Sequence, residues 1–168
     1  MKGITLIGMP GVGKSTIGRK LAYSLGWKFI DLDVVIKEKE GKSHAEIARE
    51  KGDAELLRLE NKHALELDLA GSIFSPGGSI VSPKEAMEKI LQETRVFYLA
   101  RPFSEIKNRI GSVAEKRGIV GFAEKGLEGL FLERVALYSA FADHVINCKN
   151  LNDEEVIKKI NALLQHQS

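Results

Sequence analysis

The chain has 168 residues, 43% hydrophobic and 29% charged, with a formal charge of +2 at pH 7. That length suits one domain with a sizeable core, and so small a net charge gives no argument for a nucleic-acid surface. Its single cysteine, Cys148, excludes an internal disulfide. No apolar stretch approaches the ~20 residues that span a bilayer, and the first strand leaves no room for a signal peptide, so a cytoplasmic protein is expected.

Residues 4–7 (Ile-Thr-Leu-Ile) read as a short buried strand. Directly after them, Gly8-Met-Pro-Gly-Val-Gly13-Lys14-Ser15 fits the phosphate-loop pattern G-x-x-x-x-G-K-[ST] at every fixed position. A helix then runs over 15–25, with Ile17, Leu21 and Leu25 at helical spacing. Glycines let successive N–H groups point at one anion, and the helix turns its positive end to the same spot. Lys14 can reach terminal phosphates and the Ser15 hydroxyl can ligate Mg²⁺. The pattern predicts a nucleoside triphosphate site.

Further on, residues 28–30 read as a second strand ending in Asp31-Leu32-Asp33, with a helix through Val34, Val35 and Ile36. Ser43-His-Ala-Glu46 is a capping-box start for a short helix ending near Gly52. Residues 53–69 form a longer helix, apolar at Leu56, Leu59, His63 and Leu67. Ser72–Ser75 is a third strand, running into Pro76-Gly77-Gly78-Ser79. Ser82-Pro83-Lys84-Glu85 offers a cap, a first-turn proline and a reciprocal glutamate for the next helix. Residues 95–99 are a fourth strand and Phe103–Ile110 a helix.

From Gly111 to Gly129 five glycines (111, 118, 121, 126, 129) punctuate charged residues without a sustained period, which suits a functional lid. A helix then carries Leu130, Arg134, Leu137 and Tyr138, His144–Asn147 gives a fifth strand, and Asn152 caps the last helix with Glu155. The alternation argues for a parallel sheet wrapped by helices, in one domain over 1–168. The four histidines (44, 63, 144, 166) lack metal-ligand spacing, so structural roles are expected for them.

In an open parallel sheet, ligands gather beyond the carboxyl ends of the strands. Three polar groups lie at such ends: the phosphate loop, the Asp31/Asp33 pair and Gly77-Gly78-Ser79. Two aspartates one residue apart on an extended segment cannot point at the same atom if both lie in the strand. One carboxylate near Mg²⁺ and one near an alcohol acceptor would suit phosphoryl transfer, which wants a group to take the hydroxyl proton. Helix capping is the alternative for the pair. Arg109, Lys116 and Arg117 flank or lie in the lid segment, where a cation can close over the transferring phosphate.

Together these pieces resemble the shikimate kinase family, a small branch of the nucleoside-monophosphate-kinase-like P-loop proteins, from Ile4 to about Asn147. The most specific stretches are Gly11-Val-Gly-Lys-Ser-Thr-Ile-Gly-Arg-Lys-Leu-Ala22, Phe29-Ile-Asp-Leu-Asp-Val-Val-Ile36 and Gly41-Lys-Ser43. Glu60, Gly77-Gly78, Tyr98-Leu99 and Glu133-Arg134-Val-Ala-Leu-Tyr138 keep the family's order. The resemblance implies a three-layer α/β P-loop fold with a five-stranded parallel sheet, a mobile lid over about 111–126 and an acceptor-binding helical region over about 34–62.

The resemblance also implies roles. ATP would lie on Gly11, Val12, Gly13, Lys14, Ser15 and Thr16, with Arg109 packing on adenine. Ser15 and Asp31 would meet Mg²⁺, Asp33 would hold the substrate hydroxyls and act as base, and Lys14 and the lid's Arg117 would serve catalysis. Gly77 and Gly78 match substrate-contacting glycines, and Arg134 one of two arginines that clamp the substrate carboxylate. The expected partner is a small-molecule acceptor bound by a monomer, with no nucleic acid or membrane.

The departures fall on the acceptor side. The family has Ile-Phe at Ile47-Ala48, and Gly-Glu-x-x-Phe-Arg at Gly52-Asp53-Ala-Glu-Leu56-Leu57. Leu57 thus occupies the second arginine's place in the substrate site, and Arg58 is turned from it by about 100°. Ser79 replaces a third glycine, and Arg117-Gly118-Ile119-Val120 replaces Arg-Pro-Leu-Leu. Shikimate is the expected acceptor; another sugar acid, polyol or hydroxy amino acid is the alternative, and a non-catalytic nucleotide-binding module a third reading.

Overall fold

Five parallel strands form one sheet in the order β2-β3-β1-β4-β5. The computed structural model describes residues 1–165, so His166 lies outside the described residues. The central strand β1 (Gly3–Ile7) is buried at every position, as an apolar run covered on both faces should be. It pairs with β3 (Ser72–Ser75) on one side and β4 (Thr94–Ala100) on the other. The edge strands are β2 (Lys28–Asp31) and β5 (His144–Asn147).

Helices cover both faces: α1 (Lys14–Leu25), α2 (Leu32–Glu40), α3 (His44–Lys51), α4 (Asp53–Glu66), α5 (Lys84–Glu93), α6 (Phe103–Ile110), α7 (Phe122–Phe141) and α8 (Asp153–Gln165). The capping box at α3 forms as expected: the Ser43 side chain accepts from Glu46 N, and Glu46 accepts from Ser43 N. Asn152 and Glu155 exchange the same pair of bonds at the start of α8. All five expected strands are present, and Cys148 is fully buried and unpaired.

Three local expectations are corrected. Ser82 does not cap α5; Ser82 N donates to Ser79 O, and Pro83 takes the cap position without a side-chain bond. α4 stops at Glu66 rather than Leu69, because Leu67 turns extended (φ −82°, ψ 142°). The glycine-rich stretch is also more ordered than its texture suggests. A 3-10 turn spans Ala114–Arg117, and α7 begins at Phe122 with a break at Gly126 (φ 65°, ψ 176°). No helix among the described residues is long and apolar enough to cross a membrane.

Candidate active site

A cavity of about 430 Å³ opens at the carboxyl ends of β1, β2 and β3, within the size range of small-molecule sites. The phosphate loop forms its floor. Left-handed backbone at Gly11 (φ 80°) and Gly13 (φ 111°) bends the loop, and a Cβ on Gly11 would lie 2.2 Å from Ile110 Cγ2. Val12 is fully buried and does not line the cavity, so only its backbone can serve a ligand. Thr16, at the exposed start of α1, does line it.

Lys14 Nζ donates to Gly8 O (2.7 Å) and Met9 O (2.9 Å). Burial pulls its pKa down to about 7; Asp33 and Asp31 act against that fall, while Arg134 and Arg117 reinforce it. An ammonium so poorly solvated gains from any anion placed on the loop.

Asp31 ends β2 and does two things at once. Its Oδ1 accepts from Asp33 N (3.0 Å), capping α2, and its Oδ2 accepts from Ser15 Oγ (2.7 Å). Capping and a metal-side role are therefore compatible. Asp33 lies in the first turn of α2, not on an extended segment, so the strand-to-helix bend is what separates the two carboxylates. Ser15 Oγ and Asp31 Oδ2 are hard oxygens on neighbouring elements, a partial donor set of the kind Mg²⁺ shares with phosphate oxygens and water. The residues fit that ion.

The Asp33 carboxyl lies below the usual carboxylate range. Burial pushes it up, but the hydrogen bond and charge of His44, then Lys14 and Arg117, more than offset that. His44 Nδ1 is 3.2 Å from Asp33 Oδ1, and this histidine lines the cavity. His63 does serve structure, bonded through Nε2 to Glu40 (2.7 Å).

The far wall joins the loop after β3 to α7. Arg134 is buried, with Nη2 donating to Val120 O (2.8 Å) and no hydrogen-bond partner at Nη1 among the described residues. Tyr138 Oη donates to Gly78 O (2.6 Å). A Cβ on Gly77 would approach Glu60 Oε1 to 3.0 Å, a tight fit, and one on Gly78 would approach Pro10 Cδ to 2.8 Å, closer than real Cβ contacts come. Ser79 Oγ donates to the buried Glu60 carboxylate.

Residues 117–120 close the cavity from above. Gly121 N donates to Asp53 Oδ2 (2.7 Å), and a Cβ on Gly118 would lie 2.5 Å from Ala45 N. Arg117 and Arg109 both line the cavity, and Arg109 Nη1 donates to Gly11 O and Val12 O (both 3.1 Å). Lys116 does not line it, and neither does Leu57, which is half-buried on α4. Arg58, next to Leu57, is exposed and paired with Glu55.

Sequence reasoning missed two supporting groups. His44 follows a cap residue and gives no spacing signal toward Asp33. Arg101, buried after β4, donates to Val12 O, Cys148 O and Leu151 O and so braces the phosphate loop. An arginine at the end of an apolar strand was the available clue.

A family model described as "Shikimate kinase" matches residues 10–165. The shikimate kinase of Alkaliphilus oremlandii is 36% identical over 165 residues, covering 95% of this chain and 97% of that protein. That of Persephonella marina is 32% identical over 162 residues, with shares of 95% and 97%. Among solved structures, the shikimate kinase from Acinetobacter baumannii in complex with shikimate superposes with a TM-score of 0.89 at 27% identity, covering 100% of this chain and 95% of that one. With its fold, its phosphate loop and this match along nearly its whole length, the chain belongs to the shikimate kinase family.

Proposed function

We propose that the protein transfers the γ-phosphoryl group of ATP, with Mg²⁺, to a ring hydroxyl of shikimate, forming shikimate 3-phosphate. The observation that carries this reading is that Asp33 and the unpartnered Nη1 of Arg134 face the same cavity as Lys14 and Ser15. A phosphate-binding floor, a carboxylate and a buried guanidinium are what a hydroxy acid acceptor needs. The A. baumannii relative's complex with shikimate supports that acceptor.

The chain's own residues divide the work. Backbone N–H groups of Gly11 and Gly13, and that of Val12 once it leaves Met9 O, receive the phosphates with Ser15 and Thr16 at the head of α1. Lys14 exchanges the Gly8 and Met9 carbonyls for phosphate oxygens. Ser15 and Asp31 would hold Mg²⁺, which when bound neutralises charge on the phosphates. Asp33, ionised at neutral pH, orients the acceptor hydroxyl and takes its proton. Arg134 binds the acceptor carboxylate, and Gly77 and Gly78 let backbone approach the ring.

Arg117 brings positive charge to the transferring group from the segment over about 111–126, which serves as lid. Arg109 lies at the nucleotide end, where it faces the base. On this reading the protein works as a cytoplasmic monomer on a small molecule, without nucleic acid or membrane.

Incubation with ATP, Mg²⁺ and shikimate followed by mass spectrometry tests it. A shikimate monophosphate should form, need Mg²⁺, and vanish with Asp33→Asn. Nucleotide hydrolysis that ignores shikimate would refute it.

A further inference from the structure

Two nitrogen atoms in the cavity wall are buried and lack a hydrogen-bond partner among the described residues: Arg134 Nη1 and His44 Nε2. Buried polar groups in folded proteins are nearly always paired, so each orphan asks what satisfies it. The Arg134 atom is accounted for by the acceptor carboxylate. The His44 atom is not.

The ring of His44 is held in place. Nδ1 faces Asp33 Oδ1 at 3.2 Å, and the side chain is only 11% exposed. Because the carboxylate can only accept, Nδ1 carries hydrogen and the opposite nitrogen is left to the cavity. Gly118 packs on the backbone of His44 and Ala45, so segment 117–120 covers α3 at this point. The charged groups that act on the ring are carboxylates, Asp33 first and then Glu60 and Asp31; they outweigh burial and favour the imidazolium. α4 supplies no cation of its own, since Leu57 does not line the cavity and Arg58 is paired outside it.

We infer that His44 is a specificity-determining residue of the acceptor site, donating its Nε2–H to an oxygen of the acceptor while Asp33 fixes the ring, so that Arg134 and His44 together orient the substrate. This rests on the acceptor reading above. It adds a contact that sequence spacing did not reveal. It also gives the acceptor a second N–H donor, on α3, where Leu57 offers none from α4.

Steady-state kinetics on the full chain test it, varying shikimate and MgATP separately for the wild type, His44→Ile and His44→Gln. His44→Ile removes the donor and should raise KM for shikimate about 10–100-fold, with KM for MgATP within about twofold. His44→Gln restores an N–H near the Nε2 position and should recover most of that loss. An unchanged shikimate KM in His44→Ile, equal damage in both variants, or an equal rise in both substrates' KM overturns the assignment. Failure of the wild type to phosphorylate shikimate overturns the acceptor reading itself, and this inference with it.

Discussion

Ser79 Oγ lies 2.7 Å from Glu60 Oε2 and 2.8 Å from Oε1, fastening the loop after β3 to α4 at the wall of the acceptor cavity. Glu60 is buried, and this hydroxyl is its hydrogen-bond donor. Serine at a position where the family pattern has glycine is thus tied to a specific partner. Ser79→Ala leaves the carboxyl unsatisfied and should destabilise the fold by about 1–3 kcal/mol. For a chain of this size calorimetry should show a Tm lower by roughly 2–12 °C. An unchanged Tm would mean the bond adds nothing.

Burial pushes the Glu60 pKa above its ordinary 4.5; the Ser79 hydrogen bond and the His44 charge only partly resist. A carboxyl whose folded pKa is raised keeps its proton longer in the folded state. Its contribution to stability is therefore lost as pH rises from about 4.5 through the folded value. Glu60→Gln keeps an oxygen for Ser79 and removes the titration. The stability of the variant relative to wild type should grow from mildly acidic to neutral pH. Parallel denaturation curves across that range would contradict this.

Lys14 has the opposite sign. Its pKa of about 7, against an ordinary 10.5, means that the unfolded chain binds the extra proton between those values. Stability of the nucleotide-free protein should rise with pH over that window, and Lys14→Met should abolish the rise. The same substitution should lower kcat by about 10²–10³-fold, the range for losing one preorganised donor. Thermal melts with and without nucleotide, beside initial rates, check both halves.

A methyl group on Gly78 would stand 3.1 Å from Tyr138 Oη and 3.2 Å from Arg134 Nη1. Gly78→Ala therefore presses on the Arg134 guanidinium while its own carbonyl is still held by Tyr138. Overpacking of this kind costs about 1–3 kcal/mol. Shikimate kcat/KM should fall by roughly tenfold or more, whereas Gly26→Ala, outside the cavity lining and strained only in its left-handed backbone (φ 66°), leaves it unchanged. Equal rates for both variants would remove Gly78 from the acceptor wall.

What could be read from the sequence was whatever rests on local chemistry. Phe103–Ile110 has the expected bounds because Pro102 and Gly111 bracket it, and the paired caps of α3 and α8 are contained in four-residue spans. Ser82 misled because its own N–H is spent on Ser79 O and the proline after it is extended. The nucleotide side was equally legible, since one contiguous motif forms its floor. The acceptor wall was not, because its residues come from α2, α3, α4, the loop after β3 and α7. The contact between His44 and Asp33 needs the chain to reverse between two helices, and no spacing rule encodes that. The family resemblance placed Leu57 in the site, yet its side chain does not line the cavity, although Glu60 on the same helix does.

Shikimate-dependent ADP release by the purified protein, with ATP and Mg²⁺, tests the central claim most directly. Release should saturate with shikimate at a KM within about 1 μM–1 mM, in one-to-one yield with phosphorylated shikimate. ADP release that is the same with and without shikimate, or that responds only to a different hydroxy acid, would contradict it.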